Sequence, residues 1–417
     1  MAMRIKTSLV CCFLLLAATL FAQQELRFQV SAGEYDRLDC PVSVDLSSAV
    51  LELNNHHFEL YQVDGEKEIP VASQLESGKN HRLCFILNGE LPKGETRQYV
   101  YKASETVVSE SKIVVERTHG GLKLVLNENP ILHYQSDEVY PPEGVDPLFK
   151  RSGFIHPLWS PGGEELTRIQ APDHYHHYGV WGPWTKTHIK GREVDFWNLL
   201  KGQGTVRFAN FLSEVEGPVF TGFSALQEHI DFGAKGADQL ALSEVLDVCA
   251  WNIDNQRKAW LVDYTSSLNS PLDSGILLDA YRYGGGIGFR ATEKWTKDNS
   301  SVLTSEGNDR LTADGTKARW CIVEGESVPG RSGILFMSHP SNREYPEPMR
   351  VWPVDANGGR GDMYFQFCPI RHNDWVIERG KTYSQKYRML IFDGQLTEAE
   401  AEQYWQAFAY PPGVSFE

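Results

Sequence analysis

The sequence predicts an almost all-β protein: a small N-terminal β-sandwich, then a far larger sandwich or barrel, closed by one short C-terminal helix. Three observations predict this. Short runs of β-branched and aromatic residues recur along nearly the whole chain, separated by turn signals. Helical spacing is good in one segment only, Thr397 to Ala409. At 417 residues the chain exceeds one compact core, so two or three domains are expected.

Taken in order, Met1 to Ala22 reads as a secretory signal peptide. Arg4 and Lys6 form its charged start, Leu9 to Leu20 its apolar stretch, and Ala22 suits a cleavage position. About 12 apolar residues fall short of the roughly 20 a spanning helix needs. The mature chain is therefore expected in the periplasm or secreted, with no transmembrane segment after cleavage.

Residues 23–110 form the expected N-terminal β-sandwich. Leu26 to Val30, Ala49 to Leu53, Phe58 to Val63, Arg82 to Leu87 and Arg97 to Tyr101 read as strands. Asp64-Gly65, Asn88-Gly89 and Pro92-Lys93-Gly94 read as turns. Polar Ser104 to Ser111 is the expected link.

Residues 111–417 form the expected large β-domain. Ile113 to Glu116, Leu122 to Leu126, Val206 to Phe211, Leu240 to Trp251, Lys258 to Tyr264, Gly333 to Met337 and Met363 to Cys368 continue the β rhythm. Thr397 and Glu400 then make a capping box for the helix, with Ala401, Tyr404, Trp405 and Phe408 at helical spacing.

Composition narrows the function. Hydrophobic residues at 41% and charged residues at 23% exclude wholesale disorder. Forty basic against 55 acidic residues give a net charge of −15, which argues against nucleic acid as a partner. The high aromatic share of 12% supplies rings for a β core or for stacking on flat ligand faces. Beyond the signal, Cys40, Cys84, Cys249, Cys321 and Cys368 form neither a disulfide framework nor a CxxC zinc pair. They read as small buried hydrophobes, with one possible bridge, Cys40 to Cys84.

The densest chemistry lies between Ile155 and Trp197. It includes Arg168, then Asp173-His-Tyr-His-His-Tyr-Gly-Val-Trp181, Trp184, and Asp195-Phe-Trp197. In an extended strand His174 and His176 share one face, and Asp173, Tyr175 and His177 the other. Three readings stand open: acid–base chemistry with Asp173 orienting an imidazole, a divalent-metal site on His174, His176 and His177, and histidines that pin a loop structurally. Downstream, Tyr283-Gly-Gly-Gly-Ile-Gly-Phe-Arg290 lacks the order of a nucleotide loop and reads as a strand that delivers Arg290 to a pocket. Arg168 and Arg290 suit a carboxylate-bearing sugar. Ser338-His339-Pro340-Ser341-Asn342 offers a second polar group. No Gly-x-Ser-x-Gly elbow or His-Glu-x-x-His motif occurs.

The blocks His156-Pro-Leu158, Thr167-Arg168, Asp173 to Trp181, Gly191 and Asp195-Phe-Trp197 resemble the PmoA-like domain family. So do Gly285 to Arg290, Ala318-Arg-Trp320, His339-Pro340 with Asn342, and Tyr387-Arg388. The resemblance covers roughly Val114 to Gly394. Tyr175 and Tyr178 stand where the family commonly has Pro and Arg. A copper membrane oxygenase, which the family's name suggests, would need several long apolar helices that this chain lacks. The resemblance implies carbohydrate handling instead. A fainter likeness links His177, Gly179, Gly191, Asp195, Trp197, His339 and Asn342 to aldose mutarotases, and implies a galactose-mutarotase-like β-supersandwich.

The combined expectation is a carbohydrate-active enzyme acting on an oligosaccharide or modified sugar by hydrolysis, elimination or epimerisation. His174, His176, His177 and His339 would act with Asp173 in catalysis, His176 or His177 being the acid or base. Arg168, Trp181, Trp184, Asp195, Trp197, Arg290 and Asn342 would bind the substrate. No cofactor is expected, with a divalent metal on the three clustered histidines as the alternative. A non-catalytic carbohydrate-binding protein of a polysaccharide-utilisation system is the alternative function.

Overall fold

The computed structural model describes residues 25–47, 57–76, 81–104, 113–233, 237–253, 258–328 and 330–417. The signal segment, most of the Ser104 to Ser111 link and the expected strand Ala49 to Leu53 lie outside the described residues. Among the described residues the chain is mostly β, with one α-helix, and every ladder between the described strands is antiparallel.

Two large sheets dominate. One has eight strands in the order Gly204–Val215, Phe220–Asp231, Gln239–Trp251, Ala259–Asn269, Tyr383–Asp393, Gly330–Ser338, Trp320–Ser327, Ser300–Thr304. The other has nine, running from Lys317–Ala318 through Glu347–Val351, Tyr364–Phe367, Gly288–Arg290, Val180–Trp181 and Phe154–Leu158 to Asn129–Gln135, Gly121–Leu126 and Ile113–Thr118. Period-2 alternation sets the packing. In Gln239–Trp251 the side chains of Leu246, Val248 and Ala250 point into the core between the sheets, while Val245, Asp247 and Cys249 take the opposite face, half-buried, with Cys249 against a second core. The two sheets meet through aromatic contacts, with Phe336 5.4 Å from Phe289 and 4.7 Å from Phe365 between ring centroids. This is the large two-layer sandwich the sequence predicts.

The N-terminal unit is a five-stranded sheet over a three-stranded one, with Phe28, Leu60, Phe85 and Tyr99 in the core between them. Its outer strand comes from the far end of the chain: Gly413–Phe416 pairs with Glu25–Ser31, Phe416 opposite Phe28. The helix Glu398–Ala409 lies between the two units, its N-cap Thr397 and Glu400 forming the expected capping box. Ala407 enters the small core, and Ala401, Tyr404 and Trp405 pack on Trp320, Leu335 and Met337.

Two local expectations are corrected. Asn88-Gly89 is not a turn but a bulge within Arg82–Leu91, where Gly89 has φ of 71° and its N–H donates to Asp39 at 2.6 Å. Cys40 and Cys84 are free thiols: Cys40 faces Leu87 across the ladder and Cys84 faces Ser43. Three residues of offset amount to roughly 10 Å, too far for a disulfide.

Candidate functional site

The site grows from the hairpin Ile169–Ala171/His174–Tyr178, whose two-residue turn is Pro172-Asp173. Proline presets the turn's first position and Asp173 ends at the tip. Ala171 faces His174 and Ile169 faces Tyr178, so Gln170 alone, at φ 45°, stands opposite Tyr175, His176 and His177. The extra residues break the alternation. His177, expected on the opposite face from His174 and His176, therefore joins them. Their ring centroids lie 4.8 to 5.4 Å apart, and one nitrogen from each lies within 4.8 Å of the others.

The hairpin is tied to the nine-stranded sheet. Its flanks bond Arg290 through the backbone, with Arg168 N–H donating to Arg290 O at 3.1 Å and Arg290 N–H to Gly179 O at 2.9 Å. Gly179 has φ of 68°, and a Cβ there would lie 2.3 Å from Ile155 O, so the position requires glycine. Asp173 accepts from His174 Nδ1 at 2.9 Å and from Arg290 Nη2 at 2.9 and 3.1 Å. Burial alone would raise the Asp173 pKa, but the His174 hydrogen bond and the Arg290 charge hold it well below the usual carboxylate range. Asp173 thus orients His174 rather than His176 or His177.

Arg290 is committed through Nη2, while its Nε and Nη1 are buried without hydrogen-bond partners. It is buried, bonds Asp173 and Asp362 (2.7 Å), and lies over the Trp352 ring at 4.7 Å. Arg168 is likewise engaged, with Glu293 at 3.3 Å and Asp362 at 3.9 Å.

Asp195 is a bracket and not a substrate contact. Fully buried, it accepts from Trp197 N–H at 3.0 Å, Asn198 N–H at 2.9 Å and Thr185 at 3.0 Å, and pairs Lys201 at 3.0 Å. That fixes Trp197, whose Nε1 donates to His176 O at 2.7 Å.

The tryptophans lie beneath the histidines instead of presenting open faces. Trp181 is 1% exposed and Trp197 3%, and both pack with Tyr178, Trp352 and Tyr364 in one aromatic cluster. His177 stacks on Trp197 at 5.6 Å. Trp184 is elsewhere, packed on Trp375 at 6.1 Å and over Gly285, where a Cβ would come within 2.1 Å of its ring. Gly285 thus admits a tryptophan.

His339 and Asn342 also lie apart from the cluster. His339 bonds Ser341 at 2.8 Å and packs on Phe408 of the helix. Asn342 is buried, donating to Glu347 at 2.9 Å and to Lys386 O at 2.8 Å. The Ser338 to Asn342 segment continues from the end of Gly330–Ser338, an interior strand of the eight-stranded sheet, and does not return to the hairpin.

What faces the histidines is a cavity of about 210 Å³, walled by Trp197, Asn198, Tyr281, Arg282, Tyr283 and Trp352. His174 stands at its mouth, its side chain 36% exposed. Burial pushes His176 down to about 4 and holds His177 well below the ordinary histidine value, neighbouring positive charge adding to both. Both rings are thus neutral near pH 7, with lone pairs available. Tyr283 Oη accepts from Arg350 and from Trp352 Nε1, each at 3.1 Å, which leaves its own proton to donate. A shallower concavity of about 440 Å³ beside His188 and Asp279 gathers none of the expected residues.

Tyr283, Trp352, Asn198 and Asp362 were not singled out by the sequence. Tyr283 had a usable signal, an aromatic beside three glycines. Trp352 and Asp362 flank a loop, without local pattern.

Fold and site define a large antiparallel β-sandwich protein with a histidine pocket floored by aromatic rings. The chain belongs to DUF6807, a family of unknown function whose model matches residues 121–406. No curated protein matches it. Among solved structures it is similar to the heparan sulfate lyase HepC from Pedobacter heparinus, at 9% identity and a TM-score of 0.33 over 71% of this chain. The chain spans only 38% of that lyase. It is also similar to a GalM/aldose epimerase homologue from C. elegans, at 8% identity and 0.33, covering 69% of this chain and 100% of that one. A galactose mutarotase related enzyme from Lactobacillus acidophilus follows at 9% identity and 0.29, covering 67% and 97%. At such identities no residue role transfers. No helix among the described residues is long and apolar enough to cross a membrane.

Proposed function

We propose that this chain is an exported carbohydrate-active enzyme that works on one ring of an oligosaccharide or modified sugar, by hydrolysis, elimination or epimerisation. The observation that carries the reading is the Asp173–His174 pair at the mouth of the pocket. With Nδ1 held on a carboxylate at 2.9 Å, Nε2 is the nitrogen left for the pocket. There it takes or gives a proton, directly or through a water that it holds. Pockets that enclose drug-sized ligands run from roughly 300 to 1,000 Å³, so about 210 Å³ suits a single sugar residue. Asn198, Tyr281 and Tyr283 supply polar groups for hydroxyls, and the edges of Trp197 and Trp352 supply apolar contact. The PmoA-like resemblance over Val114 to Gly394 points the same way, and Met1 to Ala22 supports export.

The test is calorimetry with product analysis on one panel of neutral, carboxylated and sulfated oligosaccharides. The expected result is product from at least one glycan, reduced about 10²- to 10⁴-fold by His174→Ala in a protein that melts like wild type. Binding without product over long incubation would replace the enzyme with a recognition protein. Neither binding nor product across the panel would overturn the carbohydrate reading.

A further inference from the structure

We propose that His174, His176 and His177 together hold one divalent transition-metal ion of the zinc class, with an open coordination position toward the pocket. Three histidines and one free position form the ligand set of a catalytic rather than a structural metal site. Neutral nitrogen donors without a carboxylate select zinc, copper, nickel or iron over calcium or magnesium. At metal–nitrogen bonds of 2.0–2.1 Å, tetrahedral ligands sit about 3.4 Å apart. The three nitrogens already lie within 4.8 Å, so small ring rotations complete the site.

Two further observations point to an ion. His177 Nδ1 is buried without a hydrogen-bond partner, an uncommon state for a buried polar atom, and a coordinate bond is a partner that resolves it. His174 Nδ1 donates to Asp173, which Arg290 and through it Asp362 hold in place. That is how metal-bound histidines are oriented by an outer carboxylate. The Arg290 charge beside the cluster is matched by those two carboxylates. The bulge opposite Gln170 is what brings His177 into the trio. A bound ion would take the His174 Nε2 lone pair, so the proton would move through a metal-bound water and not directly through that ring. In that respect alone the inference rests on the carbohydrate reading.

The experiment uses the metal alone. Untagged protein, stripped with chelator and dialysed, is titrated with Zn²⁺ and with Co²⁺, and uptake is counted by elemental analysis. One ion per chain is expected, with the visible absorption of four-coordinate cobalt. Asp173→Asn should weaken binding about 10- to 100-fold, and His174→Gln and His176→Gln should weaken it further at unchanged circular dichroism. Should those variants not fold, X-ray absorption at the zinc edge of the wild type counts its imidazoles directly, and three are expected. Substoichiometric uptake, stoichiometric uptake that survives both histidine variants, or fewer than three imidazoles would overturn the proposal. No sugar enters these measurements, so a failed glycan panel leaves them intact.

Discussion

Arg290 and Asp173, 117 residues apart in the chain, meet at 2.9 and 3.1 Å. Through that contact the nine-stranded sheet holds the tip of the hairpin that carries the histidines. The guanidinium is a clamp on two carboxylates, where the sequence suggested a hand for a sugar acid.

Arg290→Met should therefore destabilise the protein by about 1–3 kcal/mol, because it strips the half-buried Asp173 of its cation and leaves Asp362 with Arg360 at 2.5 Å and Arg168 at 3.9 Å. Urea unfolding measures it. A midpoint equal to wild type would show that the clamp bears no load.

Glu347 sets a pH dependence. It is fully buried, and desolvation raises it to about 7 despite hydrogen bonds from Ser338, Asn342 and Tyr387. The folded state therefore holds this proton more tightly than the unfolded chain. Its stabilising contribution is present at low pH and disappears as pH rises from the unfolded value, about 4.5, through about 7. Between pH 5 and pH 8 the loss should reach roughly 2–3 kcal/mol. Glu347→Gln should flatten that slope in unfolding curves. An equal slope in both proteins would refute the assignment.

His339→Ala should leave glycan binding and turnover within about twofold, since surface changes away from a site act weakly. His339 packs on Phe408 and lies outside the pocket. A His339 variant as impaired as His174→Ala would contradict the placement.

Asp195→Ala should weaken ligand binding and lower stability together. It strands the N–H groups of Trp197 and Asn198, each worth about 1–3 kcal/mol when left unpaired in a buried setting. A change in tryptophan emission should accompany it. Unaltered emission and affinity would mean that Trp197 is held by its packing alone.

Thiol titration in denaturant should give the same count before and after reduction, because Cys40 and Cys84 are out of register. A rise on reduction would reveal a bridge that the ladder does not permit.

Most of the scaffold was legible in the sequence because alternation and turn residues are local signals. Leu240 to Trp251 and the capped helix from Thr397 are examples. The site was legible in its parts and not in its pairings. Strand alternation separates His177 from His174, and only the cross-strand register at Gln170 reveals the bulge that unites them. Arg290 looked available because its partners, Asp173 and Asp362, lie far from it in sequence. His339 and Asn342 match an order of residues, which says nothing about which strand end receives them. Trp184 groups with Trp181 in the sequence, though its ring packs over Gly285 in another core.

The pairing of Gly413–Phe416 with Glu25–Ser31 has a consequence for biogenesis. Synthesis runs from residue 25 toward residue 416, so the first sheet to emerge waits for a strand far downstream before its border is sealed. Until then Glu25–Ser31 presents a bare rim of amide and carbonyl groups to any neighbouring chain. The late strand acts as a clasp, and removing it would turn a sealed hem into a seam for self-association.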